Sequence, residues 1–223
     1  MDMHHTLDSI ISLLLRSGTH VSDEQGVLLE QYVSLLLEWN SRINLISRKD
    51  VESIWVKHIL HSLSPIPLGL LPGNGKFVDI GTGGGLPGVP LAILLPKCDM
   101  LLVDSITKKI RVVEEIVHCL GLNNVSCRTM RVEAFAGSTD HAARNDVVFA
   151  RGVTALPTLA KWSLPILKAG GRLLAWKGGM LDREIAETRR QEGVRRVRVI
   201  PIVLAGDEYF QKEDKKIIEV EFS

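Results

Sequence analysis

Through residue 72 the apolar positions recur at helical spacing. Leu28, Leu29, Tyr32, Val33, Leu36 and Leu37 fall on one face of a 3.6-residue period. Ahead of them, Ser22-Asp23-Glu24-Gln25 fits a capping box, with a hydroxyl at the cap and an amide three residues on. A further helix is predicted over 51–63, and Pro65, Pro67, Pro72, Gly73 and Gly75 then mark a linker. Beyond it the texture changes. Short apolar runs rich in β-formers, at 76–80, 100–103, 125–129, 146–150, 172–176, 195–204 and 216–222, alternate with helical stretches. One of those helices is well marked: Thr107 is its expected N-cap, Ile110, Val113, Val117 and Leu120 share a face, and Gly121 stops it.

Strands that alternate with helices and are apolar on both faces imply a parallel sheet covered on both sides. Charges return in the last two strands, at Arg196, Arg198, Lys216, Glu219 and Glu221, as an antiparallel edge closing the sheet would require. The expectation is an α/β, Rossmann-like fold: a seven-stranded, mostly parallel sheet in residues 73–223, preceded by a helical extension in 1–72.

Composition narrows the class. A chain of 223 residues, 45% hydrophobic and 24% charged, is ordinary globular material and not a disordered or collagen-like one. With 27 basic and 26 acidic residues, it is not an indiscriminate polyanion binder. Cys98, Cys119 and Cys127 make no CxxC pair and no zinc spacing, and the seven histidines are scattered, so no metal site is expected. His4-His5 is too short for a tag, the N-terminus lacks a basic signal region, and no run reaches the ~18 apolar residues of a membrane helix. A cytoplasmic protein is expected.

The strongest local feature is Phe77-Val78-Asp79-Ile80-Gly81-Thr82-Gly83-Gly84-Gly85-Leu86-Pro87-Gly88, a strand running through glycines into a helix. Bare backbone and a helix N-terminus there let a ligand lie close against free N–H groups. GxGxxG occurs at Gly83, Gly85 and Gly88 and would admit a dinucleotide. Asp79 argues against one, because a carboxylate facing a pyrophosphate across a low-dielectric gap is repelled. S-adenosylmethionine, whose sulfonium and ammonium are cationic, suits it better, with Asp79 drawing the ammonium directly or through water. Asp104 ends the next strand, where a ribose diol is held; an N-cap role for it stays open. Val132-Glu133 follow the third strand, where backbone groups could read an adenine edge or merely form a turn. Arg151 leaves an apolar strand at the switch point and is the best candidate for the cofactor carboxylate or the substrate; its bland alternative is a salt bridge to Asp146 or Glu133. Lys177 ends the fifth strand similarly.

These residues carry a specific likeness. The chain resembles the bacterial small-subunit rRNA guanine-N7 methyltransferases, also called glucose-inhibited division protein B, over most of its length. The likeness runs through Trp39-Asn40, Asn44-Leu45, His58 and Ser62, the glycine segment with its Leu-Pro-Gly tail, Asp104-Ser105, Arg131-Val132-Glu133, Arg151 and Lys177-Gly178. His61 stands where that family usually has Asp, and Ala150 and Gly152 where it has Ser and Ala. The resemblance implies a class I S-adenosylmethionine-dependent methyltransferase fold and methyl transfer to N7 of a guanosine in the decoding-region loop of 16S rRNA. It implies cofactor contacts at Gly81, Leu86, Asp104, Ser105, Ile106, Val132, Glu133 and Arg151; Thr82 and Gly83 of the glycine loop are expected to join them.

The chemistry is consistent. Guanine N7 has an in-plane lone pair and needs no general base, so the site must supply in-line geometry and tolerate a base that becomes cationic. Arg is the usual partner of guanine O6/N7, and Arg131, Arg151 or Lys177 is expected to hold O6 or a flanking phosphate. Residues 161–198 hold 10 basic and 4 acidic residues, a candidate RNA stripe or a plain solvated face. The expected partner is 16S rRNA in the small ribosomal subunit, met by a monomer. Two other readings remain at this level: a nucleotide-dependent oxidoreductase on the same loop, and a non-catalytic RNA-binding module on a methyltransferase fold.

Overall fold

A computed structural model describes residues 6–137 and 143–223; His4-His5 lies outside the described residues. The extension opens with α1 (Leu7–Arg16) and α2 (Asp23–Asn40). The predicted capping box of α2 is present: Gln25 N donates to Ser22 Oγ at 3.2 Å and Ser22 N to Gln25 Oε1 at 3.0 Å. Gln25 Nε2 also donates to the carbonyls of Ile93 and Leu94, so the cap reaches across to a helix of the sheet domain. The segment predicted as one helix over 51–63 is composite. It runs as a 3-10 turn (Arg48–Ser53), a π-helical turn (Trp55–Leu60) and α3 (His61–Leu63). The widened turn sets His58 and His61 on the side facing the strand ends.

The rest alternates as expected: β1 (Gly75–Ile80), α4 (Gly88–Leu94), β2 (Cys98–Asp104), α5 (Thr107–Cys119), β3 (Val125–Thr129), α6 (Val132–Ala136), β4 (Asn145–Arg151), α7 (Leu156–Ser163), β5 (Leu167–Gly178), α8 (Asp182–Arg189), β6 (Val194–Pro201), α9 (Tyr209–Lys212) and β7 (Lys215–Phe222). The seven strands form one sheet in the order β3-β2-β1-β4-β5-β7-β6. Neighbours among β1 to β5 are parallel, and β7 runs antiparallel to both β5 and β6. The last two strands close the sheet with antiparallel pairing, as expected; β6 is the edge, and β7 is interior. Glu219 is fully buried, and its charge is met by Arg172 at 3.1 Å and by Arg198 on β6. On β7 the charge of Glu219 thus reports cross-strand pairing, while on β6 Arg196 is exposed at the edge.

Thr107 is likewise not the cap of α5. Ile106 holds that position, with an apolar side chain that can make no capping bond, and its N–H donates to Asp104 Oδ1 at 2.9 Å. Gly121 ends the helix as read, in the left-handed conformation at φ 64°.

The sheet buries both faces. On one, Phe77, Leu102, Phe149, Leu174 and Trp176 pack with α4, α5 and the whole helical extension in a continuous apolar cluster. On the other, Val78, Val103, Val148, Leu173 and Ile218 pack against α6, α7 and α8. The extension is thus bound to the sheet by shared core, and its carboxyl-end turns lie over the ends of β4 and β5.

Candidate active site

The turn after β1 is held by its own backbone. Gly81 N and Thr82 N donate to Val103 O, at 2.8 and 3.1 Å, and Gly85 N and Leu86 N return to Thr82 O at 2.9 Å each. Gly81 adopts φ 72°, and a Cβ there would lie 2.7 Å from Val153 Cγ2. A Cβ on Gly88 would lie 2.1 Å from Leu102 Cδ2. Both positions therefore require glycine, one for conformation and space, the other for helix–strand approach. The extension braces the turn: Tyr32 Oη donates to Gly84 O at 2.9 Å, and burial raises the phenol's pKa far beyond its ordinary value. Asn40 Oδ1 accepts from Leu45 N and Ile46 N, at 2.8 and 3.0 Å, which fixes the loop carrying Leu45.

Beside this turn lies a cavity of about 390 Å³ at the carboxyl ends of β1, β2 and β4. Its wall includes Gly81, Thr82, Gly83 and Leu86 from the turn, Asp104 and Ser105 from β2, Arg131, Val132 and Glu133 after β3, and Arg151 from β4. These are expected site residues that the fold brings together. Asp104 is 7% exposed, and its Oδ2 accepts Gly83 N at 2.9 Å while Oδ1 caps the next turn. The two readings of Asp104, ligand holder and cap, thus coexist in one carboxylate, since each oxygen retains a second lone pair.

Three expected residues lie elsewhere. Ile106 is 47% exposed and outside the cavity wall. Lys177 lines a neighbouring crevice, and its Nζ is held by Glu184 at 2.9 Å and Thr154 O at 2.8 Å. Asp79 is fully buried beneath the turn. Its Oδ2 accepts Thr82 Oγ1 at 2.7 Å and Gly88 N at 3.0 Å, and its Oδ1 has no hydrogen-bond partner. Burial pushes its pKa up to about 6, although both bonds and the Arg151 charge oppose the rise.

Arg151 does not bridge to Asp146 or Glu133. Asp146 instead pairs with Lys168 and accepts Lys76 N at 2.8 Å. The guanidinium of Arg151 reaches back to the extension, donating to Lys57 O at 3.2 Å and bonding His58 Nδ1 at 2.8 Å. Sequence reasoning missed Leu45, Lys109, Val153 and Trp162 of the cavity wall. Leu45 belonged to a motif already singled out, whereas Trp162 sits on α7 with nothing local to mark it. Of the basic stripe, Arg195 pairs with Glu221 and Arg198 with Glu219, so part of that charge is internal to the sheet.

The donor set fits S-adenosylmethionine. Arg151 suits a carboxylate, the side-chain-free glycine turn lets it approach closely, Asp104 suits a diol, and a carboxylate buried under the turn disfavours a pyrophosphate there. Among the described residues there is no cluster of His, Cys, Asp or Glu able to hold a metal ion.

A seven-stranded sheet with one antiparallel inserted strand, and a cavity at this switch point, define a class I S-adenosylmethionine-dependent methyltransferase. A tRNA (m1A58) methyltransferase from Aquifex aeolicus superposes with a TM-score of 0.55 at 14% identity, covering 73% of this chain and 68% of that one. A SAM-dependent O-methyltransferase from Thermotoga maritima does so at 0.52 and 15%, covering 84% and 71%. A family model described as rRNA small subunit methyltransferase G matches residues 25–213. Proteins of that name from Chlorobium luteolum and Streptococcus pneumoniae are 43% and 37% identical, over 81% and 82% of this chain and 74% and 77% of theirs. The chain belongs to the rRNA small subunit methyltransferase G family: it is an S-adenosylmethionine-dependent enzyme whose substrate is RNA.

Proposed function

We propose that this enzyme methylates N7 of a guanosine in the decoding-region loop of 16S rRNA, acting as a monomer on the small ribosomal subunit in the cytoplasm. The observation that supports the reading is the placement of Arg151 on the wall of the donor cavity, tethered there by Lys57 O and His58 Nδ1, where a guanidinium can meet the acceptor base. The helices among the described residues include none long and apolar enough to cross a membrane.

Within the cavity, the Arg151 guanidinium would hold the donor's amino-acid end against the glycine turn, Asp104 its ribose, and the Val132-Glu133 backbone its adenine. Asp79 stiffens the turn from below through Thr82 and Gly88. Bound donor supplies a methyl group on sulfonium; transfer to N7 forms one C–N bond, breaks one S–C bond and moves the positive charge to the base. No proton need move, so the protein's tasks are alignment and exclusion of water. Arg131, Arg151 and Lys177 remain the candidates for the base's O6 or a neighbouring phosphate. An oxidoreductase reading and a non-catalytic one have no supporting feature beyond the glycine pattern.

The decisive measurement is mass spectrometry of 16S rRNA from cells lacking the protein. One N7-methylguanosine should be missing, and purified protein with S-adenosylmethionine should restore it. An unchanged methylation pattern would refute the assignment.

A further inference from the structure

The donor cavity ends at Arg151 and Gly152, and a second crevice of about 530 Å³ begins at the same two residues. Its walls are rich in rings, those of His58, His61, Trp176 and Tyr209, with Lys57 and Lys215 also lining it. The walls are pre-formed: Trp176 Nε1 donates to His61 O at 2.8 Å, and the His61 ring stacks on Phe210 at 5.3 Å. His58 and His61 are each 9% exposed, and Nε2 of both is buried without a hydrogen bond, that of His58 lying 3.7 Å from Asp50 Oδ2 and that of His61 facing no side-chain partner among the described residues. An atom left in the state of His61 Nε2 destabilises a fold by about 1–3 kcal/mol unless something meets it. Burial and the neighbouring Arg151 charge push His58 down to about 4, so its ring is neutral. Its Nδ1 then accepts from Arg151, and the proton resides on Nε2.

We propose that this crevice receives the purine ring of the acceptor guanosine, with Arg151 as the wall it shares with the methyl donor. The inference rests on the functional reading above and assigns its substrate subsite. The half-buried Tyr209 ring, over a floor of the buried His58, His61 and Trp176 rings, suits a base stacked out of its helix, as single-stranded RNA recognition requires. The N7 lone pair that attacks must be free, so donors on that edge take O6. Arg carries five N–H donors, of which Lys57 O and His58 occupy two, leaving others for the chambers on either side. Asp50 also lines the crevice. Burial pushes its pKa up, but the hydrogen bond and charge of Lys57 outweigh this and hold it ionised. A carboxylate accepts from guanine N1–H and N2–H₂ but repels the acceptor N1 of adenine, which would select guanine. His61, standing where relatives are expected to carry an acid, gives this chain a ring in place of a second carboxylate.

Placement can be read without catalysis. Small-subunit rRNA containing 6-thioguanosine, irradiated in the near ultraviolet with the full chain and S-adenosylhomocysteine, should cross-link to peptides covering 57–61 or 209–215. Cross-links found only elsewhere, such as on α8 and β6, would overturn the assignment. In parallel, Tyr209→Ala and His61→Asn should bind S-adenosylhomocysteine within about twofold of the parent, while kcat/KM for RNA falls about tenfold or more. Retained binding shows that each variant is folded; unaltered RNA kinetics in Tyr209→Ala would equally overturn the proposal. Methylation with cross-links outside the crevice sinks the subsite alone. Cross-links inside it without N7 methylation sink the functional reading alone.

Discussion

Asp79 shows how a single side chain can shape a binding turn from behind. With one oxygen bonded to Thr82 and Gly88 and the other unpartnered, its carboxyl is held at a pKa of about 6, above the ordinary carboxylate value near 3.8. A folded-state pKa raised in this way means that the native state binds the proton more tightly than the unfolded chain. Stability from this group is therefore present below about pH 4 and is lost as pH rises through about 6, by an amount on the order of 3 kcal/mol. Urea midpoints of the parent and Asp79→Asn, compared between pH 4 and pH 7, should diverge in that sense, the variant gaining relative to the parent as pH rises. His58, depressed to about 4, acts oppositely over the same range, so the difference between the two proteins is the quantity to read. A difference that stays flat with pH would show that the carboxyl is not strained.

At the scale of elements, Gln25 joins two functions. Its amide closes the capping box on Ser22 and also caps the carboxyl end of α4, the helix that follows the glycine turn. Gln25→Ala should therefore cost more than an ordinary cap, about 1–3 kcal/mol, and a chemical-denaturation series against Ser22→Ala, at about 1 kcal/mol, measures the excess. The local half of this was legible: Ser22-Asp23-Glu24-Gln25 announces a helix start, whereas the bond to α4 spans 68 residues and leaves no local trace. The same division holds elsewhere. The seven strands and the glycine turn could be read because period and turn chemistry are local. The broken helix over 48–63, the interior position of β7 and the tether from Arg151 to His58 could not, because tertiary partners set them. Within the cavity, the residues found are those at strand ends, where topology forces convergence. Lys109 and Trp162 come from helices and depend on how those helices are oriented.

Over the whole molecule, the extension and the sheet share one apolar cluster, in which Leu14, Tyr32, Leu36, Ile59 and Leu60 meet Phe77, Phe149 and Trp176. The extension also supplies Leu45 to the donor cavity and His58 and His61 to the crevice. The parent should unfold in a single cooperative transition. A chain beginning at residue 73 should aggregate or lose that transition, because a full sheet face would be exposed. Calorimetry of both chains checks this, and an independently folded sheet domain would show the extension to be a detachable module.

The placement of β7 bears on how the molecule is made. β6 is translated first, yet its neighbour in the sheet among the described residues is β7, which lies between β5 and β6. Until then two strand edges stand open on the nascent chain, with Glu219 not yet present to meet Arg172 and Arg198. Sheet closure is thus deferred to the final strand, which brings the carboxylate that both arginines face.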